Sequence, residues 1–179
     1  MTRTIQLLFV VLLTPALGAA QGRPVVEIGT NVGVTVASSG GTTLTHFGVP
    51  GQGLLGQPTV YASVFAGASV LVEPQMALNI VSSEGETSTS VGLGGQVGYL
   101  FQGASLNSPF IAGALGFQSV SGGGFSESDF GIGGKVGYRV LIGSSVGLRF
   151  EGGYRRWFDS DLNEFTFGVA VGGIIRSTR

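Results

Sequence analysis

Chemistry in a protein needs ionisable groups brought together, so those residues come first. The chain has one histidine, His46, followed by Phe47-Gly48-Val49-Pro50-Gly51 with no carboxylate near it in sequence. A histidine so placed lacks the partner that would orient it as a base, and no catalytic residue is assigned. Asp159-Ser160-Asp161-Leu162-Asn163 opens like a calcium loop. Such a loop requires glycine at its sixth position and glutamate at its twelfth. Here those positions hold Glu164 and Ala170, so no metal site is expected. The runs Ser121-Gly122-Gly123-Gly124 and Gly131-Ile132-Gly133-Gly134 lack the Lys-Ser/Thr pair and the following helix of a phosphate cradle. With no cysteine there is neither a disulfide framework nor thiolate chemistry. These residues predict a non-enzymatic protein without a cofactor.

The remaining charges fall on a regular spacing. Between Asp129 and Leu141, Phe130, Ile132, Gly134, Val136, Tyr138 and Val140 alternate with Gly131, Gly133, Lys135, Gly137 and Arg139. After Ile142–Ser145, Val146, Leu148, Phe150, Gly152, Tyr154 and Phe158 alternate with Gly147, Arg149, Glu151, Gly153, Arg155 and Trp157. Period two is the mark of a strand, and two such runs across a short turn form a hairpin. Glycine interleaved with long charged side chains has no purpose on a wet outer face, where it only weakens a strand. Inside a narrow barrel, where side chains just fit, it makes room for them. The charged face therefore points inward, and the apolar face outward to lipid.

The same pattern recurs along the chain at Val25–Ala37, Thr59–Phe65, Val70–Val81, Thr89–Phe101, Pro109–Val120 and Glu164–Ile175. With the hairpin above, that predicts eight strands and an all-β, eight-stranded antiparallel up-and-down transmembrane barrel. The phases of Thr59–Phe65 and Pro109–Val120 stay open, and Pro74 is expected at a bulge. Ala66–Ser69, Gln102–Ser108 and Ile142–Ser145 are the short or uncharged connections. Ser38–Pro58, Ser82–Ser88, Ser121–Ser128 and Asp159–Asn163 are longer or polar, and alternate with the first set. The polar ends carry Glu84, Glu86, Glu127, Asp129, Asp159 and Asp161.

In phase, Glu27, Glu73 and Glu151 point into the lumen with Lys135, Arg139, Arg149 and Arg155, which predicts an ion-paired plug. Two aromatic belts are expected on the lipid face. Tyr99, Phe101, Phe110 and Tyr138 gather at the turn end; Phe130, Tyr154, Phe158 and Phe165 gather at the loop end. Arg156, outward beside Phe158, is positioned to meet a lipopolysaccharide phosphate.

Location follows from the first residues and the composition. Met1–Ala20 reads as a signal peptide: Arg3, the apolar run Ile5–Leu13, a break at Thr14-Pro15, and small residues Gly18-Ala19-Ala20. The apolar run is too short to span a bilayer as a helix. Residues 21–179 then form the barrel domain. Of 179 residues 33 are glycine and only 11% are charged, with a net charge of -1. That balance excludes intrinsic disorder and a nucleic-acid binder.

The signal segment, the hairpin GIGGKVGYRVLIGSSVGLRFEGGYRRWFD and the closing EFTFGVAVGGII give the chain a resemblance to small bacterial outer-membrane β-barrel proteins, the OmpA/OmpX/Opa-like group. The resemblance covers the mature chain. It implies residence in the cell outer membrane, with lipid, lipopolysaccharide and the outer-membrane assembly machinery as partners. It also implies a structural or surface-binding role for the loops, whose ligand it does not name. A narrow conduit for small hydrophobic molecules is the alternative, and a lipid-modifying enzyme a weaker one. Members of the group usually finish on an aromatic residue, whereas this chain runs on through Arg176-Ser177-Thr178-Arg179.

Overall fold

The computed structural model describes residues 25–48, 59–83 and 86–176. The expected signal peptide, residues 1–20, lies outside the described residues, as do 49–58, Glu84 and 177–179. The strands are β1 (Val25–Ser39), β2 (Thr42–Gly48), β3 (Thr59–Ala66), β4 (Val70–Ser83), β5 (Glu86–Leu100), β6 (Ser108–Gly122), β7 (Phe125–Ile142), β8 (Val146–Trp157) and β9 (Asn163–Arg176). Sequence neighbours pair antiparallel from β3 to β9, and β1 pairs with β9 from Val25↔Arg176 to Ser38↔Asn163, which closes the wall.

The wall has eight positions although nine strands line it. The other edge of β1 is shared: β3 pairs along Val25–Thr30 and β2 along Gly33–Ser39. β2 and β3 run in the same direction and together fill the second position. The chain is thus an all-β, eight-stranded antiparallel up-and-down barrel, with its second stave in two pieces.

The connections differ from expectation for a local reason. Ser38–Pro58 is not one long loop, because Ser38 and Ser39 end β1 and Thr42–Gly48 return as β2. Gly40 and Gly41 have φ of 54° and 84°, the two left-handed positions that a type I′ hairpin turn demands. Gly123 and Gly124, at 55° and 85°, join β6 to β7 in the same way. Most of Ser121–Ser128 is therefore strand, and so are the described ends of Ser82–Ser88.

Pro74 is not at a bulge. β4 pairs with β5 without interruption through Glu73↔Gln96, Pro74↔Gly95 and Gln75↔Gly94. Toward β3 the register is identical on both sides of the proline, at Tyr61↔Gln75 and Val64↔Val72. Only the rungs at Ala62 and Ser63 are missing, as the absent proline donor requires.

The structure fixes the two open phases. β3 buries Thr59, Tyr61, Ser63 and Phe65; β6 buries Ser108, Phe110 and Ala112 while exposing Ile111 and Leu115. Phe110 is therefore no part of an outer belt. It is 3% exposed and packs inside with Phe65, Leu71 and Leu100, against Val25 and Ala104. Apolar residues on both faces of β6 hid this from the sequence. The cluster lies at the short-turn end of the lumen, and the layers above it are polar. Outside, Met76, Ile80, Val97, Val136, Phe167 and Ile175 stand more than half exposed, so the wall is apolar where an ordinary surface is wet.

Candidate functional site

The candidate site is the lumen and the rim above it. In the lower lumen, β1 supplies Glu27, β4 Glu73, β7 Arg139 and β8 Arg149, each at most 2% exposed. Arg139 donates to Glu27 Oε2 through Nε (3.1 Å) and Nη2 (2.8 Å). Arg149 Nη1 donates to Glu73 Oε2 at 2.6 Å, and its Nε lies 3.9 Å from Glu27 Oε1. Tyr61 donates to Glu27 Oε1, Ser63 to Glu73 Oε2, and Gln75 and Gln96 to Glu73 Oε1. Arg149 also lies over the Tyr61 ring (4.3 Å) and Arg139 over Phe65 (4.9 Å). Buried charges persist when paired and hydrogen-bonded in this way.

Glycine makes the space. A Cβ at Gly147 would lie 2.5 Å from Glu27 Oε2, and one at Gly172 would lie 2.5 Å from Glu27 Cγ. One at Gly29 would lie 2.5 Å from the Tyr61 hydroxyl. One layer higher, Lys135 Nζ meets Glu151 Oε1 at 3.1 Å.

The upper lumen is organised differently. Arg155 stands opposite Glu164 in the β8–β9 ladder, yet among the described residues it makes no ion pair. Its guanidinium lies 5.2 Å from the Trp157 ring centroid, while Trp157 Nε1 donates to Glu164 Oε2 at 2.6 Å. A void of about 10 Å³, the size of one water, is lined by Lys135, Arg155, Glu164, Thr166 and Ala114. So of the seven charges expected in the lumen, six form direct pairs and Arg155 does not.

At the rim, Asp129 points inward, 6% exposed, and ties down the β8–β9 loop. Its Oδ1 accepts from the Asp159 amide (2.9 Å) and its Oδ2 from the Ser160 amide (3.1 Å) and hydroxyl. Burial works against its charged form, but the Ser160 hydroxyl and the amides of Asp159, Ser160 and Phe130 hold the carboxyl below the usual range. The same loop receives Ser39 Oγ on Ser160 O, and Tyr154 donates to Asn163 Oδ1 at 2.7 Å. Arg156 faces outward but is paired with the Asp161 carboxylate and donates to the Asp161 carbonyl. Any phosphate it meets competes with that aspartate. Glu127, Asp159 and Asp161 are exposed.

On the outer wall, Tyr99, Phe101 and Tyr138 are exposed toward the short-turn end, with Tyr99 and Phe101 edge to face at 5.5 Å. Toward the loop end, Phe130 stacks on Phe158 (6.1 Å) and Tyr154 tilts against Phe165 (5.0 Å). His46 pairs with Thr35 in the β1–β2 ladder, and its side chain is outside the described residues. Among the described residues no group of histidine or acid side chains is placed to hold a metal.

Sequence reasoning missed Glu164, the second residue of β9 and its first in the inward phase, and the neutral partners Tyr61, Ser63 and Gln96. The phase of Thr166 extended back by two residues would have found Glu164.

No protein-family model matches the chain, and no curated protein sequence matches it. Solved structures do. Neisserial surface protein A aligns over 84% of this chain and 96% of its own, at 16% identity and a TM-score of 0.57. Ail, the attachment invasion locus protein of Yersinia pestis, in complex with the heparin analogue sucrose octasulfate, covers 86% and 100% at 12% identity, TM-score 0.55. The N-terminal β-barrel domain of Pseudomonas aeruginosa OprF covers 87% and 100% at 14% identity, TM-score 0.52. In fold, this chain is an eight-stranded barrel of the kind seen in these small outer-membrane proteins.

Proposed function

We propose that the protein is a non-enzymatic outer-membrane barrel whose role is structural and surface-binding, exercised through the hairpins at its loop end. One observation carries the reading: the paired charges Glu27–Arg139 and Glu73–Arg149 cross the bore directly above the apolar cluster of Phe65, Leu71, Leu100 and Phe110. A bore so filled offers no route for steady solute flow, which leaves the outer wall and the rim as working surfaces. The apolar wall between aromatic girdles suits lipid, and an expected leader at residues 1–20 supplies export. In this orientation the acidic rim faces outside, and Arg156 sits at lipopolysaccharide headgroup height. Insertion is the task of the outer-membrane assembly machinery.

The charge of the rim bears on the partner. The Ail structure holds a sulfated heparin analogue, whereas the exposed charges at this rim include Glu127, Asp159 and Asp161. That favours a cationic partner surface over a polyanion. Reconstitution in a planar bilayer tests the reading: little or no steady ionic current is expected. A large, stable conductance overturns it in favour of a conduit. Fractionation should recover the mature protein in the outer membrane, and recovery from the periplasm as a soluble protein defeats the reading entirely.

A further inference from the structure

The connection from β5 to β6 is the long one at the short-turn end. Gly67–Ser69 and Gly143–Ser145 join their strands with three residues each, whereas Phe101–Asn107 uses seven. A connection that only reverses the chain needs two to about five. The extra length is bound to the barrel on several sides. On one flank, the Ala104 amide donates to Ala68 O in the β3–β4 turn at 2.6 Å. On the other flank, the Leu141 amide of β7 donates to Asn107 Oδ1 at 2.8 Å. Ala104 packs on the cluster of Phe65, Leu71, Leu100 and Phe110.

The hold also comes from within. Arg139 reaches down to donate from Nη1 to Ala104 O at 2.8 Å, while its Nε and Nη2 grip Glu27. Gly103 is buried at φ 85°, and a Cβ there would lie 3.0 Å from Ala68 O. Docking thus depends on a residue with no side chain at the point of closest approach.

We propose that Phe101–Asn107 is a strap that closes the short-turn mouth of the barrel, latched from inside by Arg139, and that its release admits water to the lumen. The seal and the lumen charges then form one unit, since the guanidinium that pairs with Glu27 also holds the strap. This inference does not depend on which way the barrel faces or on what its loops bind.

The chain has no cysteine, so a single introduced thiol reports access. Ala112→Cys places it on the inward face of β6, one inward position beyond Phe110, at a site 4% exposed. The labelling rate with a small charged methanethiosulfonate is measured on the full barrel folded in detergent micelles. In the otherwise native chain the thiol should react far more slowly than one at exposed Ser105. Gly103→Val, which forces a side chain against Ala68 O, should accelerate labelling by about tenfold or more, the effect of losing one or two local hydrogen bonds on an opening equilibrium. Asn107→Ala removes one anchor without crowding. It should accelerate labelling less, and it carries the test if the valine variant does not fold. Thr35→Cys, in the upper lumen, separates strap release from general loosening. Equal acceleration at Thr35→Cys overturns the inference. So does fast labelling of Ala112→Cys with the strap intact, or no acceleration in either strap variant.

Discussion

In the lower lumen each arginine has a carboxylate, Arg139 on Glu27 and Arg149 on Glu73. In the upper lumen Arg155 and Glu164 are ladder partners that do not pair directly; the acid takes the Trp157 N–H and the base lies over the indole. Glycine accounts for both outcomes. Gly29, Gly147 and Gly172 withdraw the wall around Glu27 and Tyr61, so that side chains from several strands meet across the bore. A Cβ at Gly116 would lie 3.2 Å from Arg155 Nη1, and one at Gly131 would lie 2.9 Å from the Trp157 ring. There the missing side chains make room for Arg155 and Trp157 against β6 and β7, and a water-sized void lies beside Arg155. Among the described residues, buried atoms without a hydrogen-bond partner occur in both halves, Ser90 Oγ and Gln118 Oε1 nearer the rim and Gln96 Oε1 and Arg149 Nε lower down. The halves differ in ion pairing: below, arginine–carboxylate pairs cross the bore, and above, Arg155 lies over an indole.

The contrast breaks most visibly at Glu27. Glu27→Ala strands Arg139, and urea denaturation in lipid vesicles should show a loss of about 3–5 kcal/mol, the cost of breaking a buried pair. Glu151→Ala strands Lys135, next to the void, and also takes an acceptor from Asn31. The loss in the same assay should be smaller, about 2–3 kcal/mol. Gly172→Ala leaves every charge in place but crowds Glu27 and Tyr61, so overpacking should cost about 1–3 kcal/mol. Arg155→Ala should cost about 1 kcal/mol or less, since it forfeits a cation–π contact and no ion pair. If Arg155→Ala matches Glu27→Ala, the two halves do not differ as described.

The smallest effect belongs to the rim. The Asp129 carboxyl is held below the ordinary range, so its contribution is complete above about pH 4, the unfolded value, and fades as pH falls through the lower folded value. Acidification should therefore expose the Asp159 and Ser160 amides to hydrogen exchange before the barrel unfolds. Asp129→Asn should abolish that pH dependence while leaving the strand amides protected.

Period-two alternation is local, which is why the inward phase of Glu27, Glu73 and the charges of β7 and β8 could be read from the chain. Partner choice is not local. Glu27 and Arg139 are 112 residues apart in sequence, and only closure of the sheet brings them together. Phe110 is misread because both faces of its strand are apolar, and Asp129 reads as a loop acid because the polar residues 125–128 before it, which are strand, look like loop. The Gly-Gly turns carried a legible signal that the polar composition around them obscured. Arg155 shows the opposite limit: its phase was readable, but whether it pairs depends on Trp157 competing for Glu164.

The β1–β9 ladder has a consequence for the order of assembly. It runs the whole length of β1, and its partners are the most distant in the chain, from Val25↔Arg176 to Ser38↔Asn163. Each hairpin from β3 to β9 forms between near neighbours, but this ladder must wait until the last strand exists and pays the largest loop-closure entropy. Until then the chain is an open sheet with two long unpaired edges, a form prone to pairing with other chains. The apolar outer wall gives that intermediate no reason to stay dispersed in water. Zippering of the two edges is thus the committing step of folding, and a chain truncated before Asn163 should remain aggregation-prone even with every earlier hairpin intact.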